Sequence, residues 1–284
     1  MKFAIGSMSV GDILDRSVKL LFARFGTFYA INFVAYLPML LFGLATPEIL
    51  KSFGPQGVIA VAVLAMILNL ILSPVAMGAS LYVVSNEFVD KRVGFSEAIG
   101  FAFTRLGALL ITGLMVGLVV GIGFMLCVLP GIIFIGWYAV AYPVATLERK
   151  SGSAAMSRSK KLVAGHRGRA FGLLFLVYIV LPFILGAGVG AITATSLPPY
   201  EMVPIKAGAR LDPMQLQGIM GKVNWLNLII GESLKFLVTM LSSAFGAIAI
   251  TLLYFDLRIR KEGYDLELAA AQMDSAEPAI DLES

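Results

Sequence analysis

The chain has 284 residues, 58% of them hydrophobic and 14% charged, with a net charge of +4 and a mean hydropathy of +0.88. Soluble domains are about 45–50% apolar and about 25% charged, so the composition excludes an ordinary soluble domain and points to a membrane. One cysteine, Cys127, and one histidine, His166, exclude an intrachain disulfide and the His/Cys clusters of most zinc sites.

The opening MKFAIGSMSVGDILDRS has one Lys and a short apolar patch but no apolar h-region followed by an A-x-A-like site, so no cleaved signal peptide is expected. SVGDILDRSVKLLFARFG follows. Val10, Ile13, Leu14, Val18, Leu21 and Phe25 fall on one helical face, and Asp12, Asp15, Arg16 and Lys19 on the other. Ser9 and Asp12 form an N-cap pair. Apolar runs over 27–46 and 57–85 are each near the roughly 20 residues that cross a bilayer. A second amphipathic stretch, GFSEAIGFAFTRLG, carries Phe95, Ile99, Ala102, Phe103 and Leu106 on its apolar stripe. Spans over 107–129 and 131–148 come next, joined by a tight turn at Leu129-Pro130-Gly131, with Cys127 as a small packing residue. The third polar stretch, SAAMSRSKKLVAGHRG, is strongly basic and precedes a span over 170–195. A connection over 196–223, with Asp212-Pro213 as a helix start, leads to the last span, 225–256.

The pattern predicts an all-α polytopic membrane protein. Its six transmembrane helices form three hairpins, each preceded by an interfacial amphipathic helix. Residues 1–261 make a single membrane domain and 262–284 an acidic, disordered cytoplasmic tail. The units repeat weakly: Arg24-Phe25-Gly26, Arg105-Leu106-Gly107 and Arg167-Gly168 end the interfacial stretches, where glycine lets the chain turn into the membrane. Each hairpin closes on an acid followed by bases: Glu87 before Lys91 and Arg92, Glu148 before Arg149 and Lys150, and Asp256 before Arg258, Arg260 and Lys261. Positive-inside bias explains the bases but not the acids. Seventeen Lys and Arg fall on the side of the N-terminus, against Lys51, Lys206, Arg210 and Lys222 opposite, so both termini are expected in the cytoplasm.

Four sets of residues are candidates for function. Arg149, Lys150, Arg158, Lys160, Lys161, Arg167 and Arg169 form a basic cluster suited to anionic headgroups, each base near such a leaflet contributing about 1 kcal/mol. Asp256, with Arg258, Arg260 and Lys261, is expected as a charge anchor at a water-accessible helix end, its partner being Arg260 one turn on or Arg24, Arg105 or Arg167 at the same depth. Glu232 and Lys235, spaced i, i+3 within an apolar segment, suit either an interfacial pair or a transport site, with Asn69 and Ser73 as partners. Gly113, Gly117 and Gly121, and Gly186 and Gly190, are small-xxx-small faces for helix packing. Pro38, Pro74, Pro143 and Pro182 interrupt four spans.

TLLYFDLRIRKEGYDLEL resembles the C-terminal signature of the bacterial glycerophosphoryl diester phosphodiesterase membrane-domain family. GDILDRSVKLLFARFG, the Leu129-Pro130-Gly131 turn and SRSKKLVAGHRGRAFGLL fit the same family, so the resemblance covers residues 9–268. It implies a polytopic module of the bacterial inner membrane, without the soluble phosphodiesterase domain and with no catalytic residue to carry over. One histidine cannot supply the paired histidines that such hydrolysis needs. No metal or cofactor is expected, and the bases lie too close to the membrane to bind nucleic acid. The leading expectation is a non-enzymatic module that organises or senses anionic lipids or scaffolds a partner protein or second copy. The rival is a small-molecule or lipid transporter using Glu232, Lys235 and the proline-kinked helices. A cavity reaching Glu232 would favour the rival.

Overall fold

The computed structural model describes residues 6–89, 91–194 and 224–264. The 196–223 connection, including Asp212 and Pro213, and the tail beyond 264 lie outside the described residues. Among those described there are helices and no strands. In chain order they are α1 (Val10–Ala23), α2 (Phe25–Glu87), α3 (Phe95–Thr104), α4 (Leu106–Leu126), α5 (Val128–Trp137), α6 (Ala141–Leu147), α7 (Gly152–Val163), α8 (Arg167–Phe175), a π-helical turn (Leu176–Val180), α9 (Leu181–Ala194) and α10 (Trp225–Glu262). Five helical stretches are long and apolar enough to cross a membrane: Phe25–Glu87, Leu106–Leu126, Val128–Leu147, Arg167–Ala191 and Trp225–Glu262.

The first of these contains both apolar runs expected as separate spans. A straight helix of 63 residues would be about 95 Å long. Yet Arg24 and Glu87, at its two ends, form an ion pair at 3.8 Å. The element therefore folds back on itself, and it does so at Gly54, the one residue inside it with non-helical dihedrals (φ 66°, ψ −168°). Glycine suits this position because a side chain strains the backbone at positive φ.

The next reversal sits at Cys127, whose backbone is extended between α4 and α5. This corrects the expected turn at Leu129-Pro130-Gly131, which instead forms the first turn of α5, where proline's missing N–H goes unneeded. Cys127 is exposed, not packed. Gly131 lies against Phe124, and Gly113 against Tyr142, so tightly that neither has room for a β-carbon. One number rises as the other falls, which is the register of an antiparallel pair. Residues 167–194 and α10 follow the same rule, with Arg169 beside Asp256 and Tyr178 beside Gly246. The π-helical turn comes just before Pro182, where the lost N–H and the ring's clash with the preceding turn disturb the regular ladder.

The axis of the protein is α10. Every residue from Ala244 to Leu257 is buried, as expected of a helix that is apolar all round. The helix stops at Gly263, which is left-handed (φ 63°). The expected Ser9–Asp12 capping box starts α1. The buried stripe of α1 is Ile13, Ser17, Leu20 and Leu21, packed towards α10, while Val18, Phe22 and Phe25 face outward. The bends into the long helices lie at Arg24, at Arg105 and at Gly165 (φ 87°); Gly26, Gly107 and Gly168 are inside helices and turn nothing. Of the small-residue faces, Gly113 meets a neighbour, but Gly117, Gly121, Gly186 and Gly190 have open space where a β-carbon would stand.

Candidate functional site

Three acids, Glu87, Glu148 and Asp256, gather around the C-terminal turns of α10. Phe88, next to Glu87, packs at a tilt on Phe255 with ring centroids 4.5 Å apart, and Tyr254 donates to Glu148 Oε1 at 3.1 Å. Each acid meets an arginine. Arg24 Nε lies 3.8 Å from Glu87, and its Nη2 donates to the Val93 carbonyl. Arg158 brackets two acids: its Nε donates to Glu148 at 2.9–3.0 Å, and Nη1 and Nη2 to Glu262 at 2.5 and 2.8 Å. Lys150 adds a 2.9 Å bond to Glu148. Burial pushes the Glu148 carboxyl up, but the bonds from Arg158 and Lys150 outweigh it and hold it below its ordinary value.

Asp256 is the most enclosed of the three, with 0% of its side chain exposed. Arg260 Nε donates to both its oxygens at 3.0 and 3.1 Å, confirming the local partner, and Arg169 Nε lies 3.1 Å from Oδ2. Arg24, Arg105 and Arg167 are not among its partners. The backbone N–H of Met8 donates to Oδ1 at 2.7 Å, and the Met8 carbonyl accepts from Arg169 and from Arg260. The expected water access is therefore absent: protein surrounds this carboxylate, and its bonds tie the N-terminal segment to the end of α10. Neither Met8 nor Arg169 carries a sequence signal for this role, since both lie far along the chain from Asp256.

The basic segment divides in two. Arg158 and Arg169 are engaged with acids, as is Lys150, and Lys261 donates to the Lys161 carbonyl at 2.7 Å, so α7 is fastened to α10. Arg149 is exposed in a left-handed conformation (φ 56°), and the Lys161 side chain is exposed. Lys160 and Arg167 are exposed and converge on Trp137. The Lys160 ammonium lies 4.2 Å from a ring centroid and the Arg167 guanidinium carbon 5.5 Å. Both separations are within cation–π range. Trp137 and Arg167 also line a cleft of about 360 Å³ whose other walls are Ile132, Ile133, Gly136 and Phe171. Among the described residues the Trp137 indole N–H has no hydrogen-bond partner, and neither does His166 Nδ1 at the start of α8. Trp137 was not legible as a site residue, because it falls in the middle of the apolar stretch Val128–Leu147.

Glu232 and Lys235 lie at the other end of α10, Glu232 about 36 Å of helix from Asp256. The two meet at 3.4 Å, the Glu232 side chain being 16% exposed and that of Lys235 64%. They line a groove of about 520 Å³ between α10 and both arms of α2, together with Tyr36, Gly43, Thr46 and Asn69. Asn69 thus shares the groove with the pair but bonds to neither member, and Ser73 does not line the groove. The Glu232 carboxylate presses on Gly43, where a β-carbon has no room. The Asn69 amide nitrogen is buried without a partner among the described residues.

Among the described residues no three His, Cys, Asp or Glu side chains come together to hold a metal ion. Set against protein-family models, curated proteins and solved structures, the chain matches none.

Proposed function

We propose that this chain is a non-enzymatic, six-span module of the bacterial inner membrane that holds an anionic phospholipid at its cytoplasmic rim. The fold-back at Gly54 supports counting Phe25–Glu87 as two spans, and the antiparallel registers support three hairpins. The Lys and Arg bias supports cytoplasmic termini, and TLLYFDLRIRKEGYDLEL supports kinship with the glycerophosphoryl diester phosphodiesterase membrane-domain family. The observation that carries the reading is the convergence of Lys160 and Arg167 on Trp137 at an apolar cleft. The two cations and the unpartnered indole N–H suit a phosphate, and Ile132, Ile133 and Phe171 suit the start of an acyl chain.

The test is native mass spectrometry of the full chain in mild detergent. Changing Lys160 and Arg167 together to Gln should lower the retained anionic phospholipid by about ten-fold, the loss of roughly one charge-assisted contact. Changing Arg149 and Lys161 to Gln should have little effect, because neither reaches the cleft. Equal retention in both double variants rules the cleft out as the site. A second reading, transport of a small molecule or lipid, draws on the groove at Glu232 and Lys235.

A further inference from the structure

The groove at the far end of α10 differs from the rim in charge, and that difference identifies its ligand. Glu232 is mostly enclosed, yet among the described residues its one hydrogen-bond partner is Lys235, at 3.4 Å. Charge-assisted N–H···O bonds to carboxylates are usually about 2.7–2.9 Å. The pair is therefore loosely made, on a lysine free to swing away. Close by, Asn69 presents a buried amide nitrogen with nothing to donate to. A buried donor without an acceptor costs about 1–3 kcal/mol, so the groove lacks an acceptor beside Asn69 and a close cation beside Glu232.

We infer that the groove binds a zwitterionic phospholipid whose headgroup carries a primary ammonium, with the ammonium at Glu232 and the phosphate between Lys235 and Asn69. A single anion would leave Glu232 without its cation, and a single cation would leave Asn69 without an acceptor. An ammonium and a phosphate on one headgroup satisfy both. The volume, about 520 Å³, is within the range of about 300–1,000 Å³ for small-ligand sites. It suits a headgroup and glycerol, and exposed apolar side chains beside the groove, including Leu41, Leu226 and Ile230, continue the surface for acyl chains. Gly43 is what allows the carboxylate to lie flat against α2. The site shares only its membrane setting with the rim.

The experiment offers the detergent-solubilised full chain an equal mixture of ethanolamine, choline and glycerol phospholipids, read by native mass spectrometry. The wild type should retain the ethanolamine lipid over the choline lipid, whose methylated nitrogen has no N–H to donate. Glu232→Gln should lower its retention by about ten-fold. Lys235→Gln, at an exposed side chain that leaves the fold intact, should lower it as well. Glycerol-lipid retention should stay unchanged in both variants, whereas the Lys160/Arg167 double variant should show the reverse. Equal retention of ethanolamine and choline lipids by the wild type overturns the proposal, as does ethanolamine-lipid retention that survives Lys235→Gln.

Discussion

The two ends of α10 treat carboxylates in opposite ways. Around Asp256 both oxygens have donors within the protein, from Arg260 and Met8, and Arg169 adds an ion pair at 3.1 Å. Around Glu232 the protein supplies one long bond from an exposed lysine and a neighbouring cavity. A carboxylate satisfied by the chain itself holds the fold; one left half-satisfied beside open volume is available to something else. The distinction is one of partner count, since both acids are largely buried.

The comparison is broken most severely at Asp256. Asp256→Ala leaves two arginines and the Met8 N–H facing an empty site. Removing one partner of a buried ion pair costs about 3–5 kcal/mol. The low end, about 3 kcal/mol, is expected because Arg169 and Arg260 keep partial contact with water. The readout is a melting temperature in detergent, and an unchanged value would place Asp256 among functional residues instead of structural ones.

Acid should produce a smaller effect through Glu148. Its carboxyl is held below the ordinary value of 4.5 in the folded chain, so its contribution is complete above that pH. The contribution is lost as pH falls through the lowered folded value. Melting temperature should drop below about pH 4.5 by an amount equivalent to about 1.5 kcal/mol, the low end for a hydrogen bond to a charged group, because water still reaches the pair. Glu148→Gln should remove this part of the pH dependence.

The smallest change in stability is expected at the far end. Lys235→Gln removes a loosely made bond from an exposed lysine and should shift stability by no more than about 0.5 kcal/mol. A shift as large as that of Asp256→Ala would show that the Glu232–Lys235 pair holds the bundle together, and the contrast between the two ends would vanish.

Much of the architecture was legible in the sequence because hydrophobicity and charge are local signals. The capping box at Ser9 and the Arg260 partner of Asp256 both lie within a few residues of what they act on. The capture of Asp256 by Arg169 and Met8 was not legible, because helix rotation decides which side chains meet, and composition leaves rotation open. The same holds for Glu232 over Gly43 and for Gly117 and Gly121 of α4, which share the spacing of Gly113 but not its contact. Arg158 shows the limit from the other side. Its neighbours in sequence are bases, so it reads as part of a headgroup cluster, while its neighbours in space are Glu148 and Glu262.

The bond between Met8 and Asp256 also has a consequence in time. Its partners are 248 positions apart. At about 5–20 residues per second, the ribosome delivers Asp256 roughly 12–50 seconds after Met8. Throughout that interval the N-terminal segment has no final binding place, and α1 lacks the helix it packs against. The last of the described helices to be made is thus the one against which α1, α2 and α9 pack, and a chain interrupted before it would leave them without that partner.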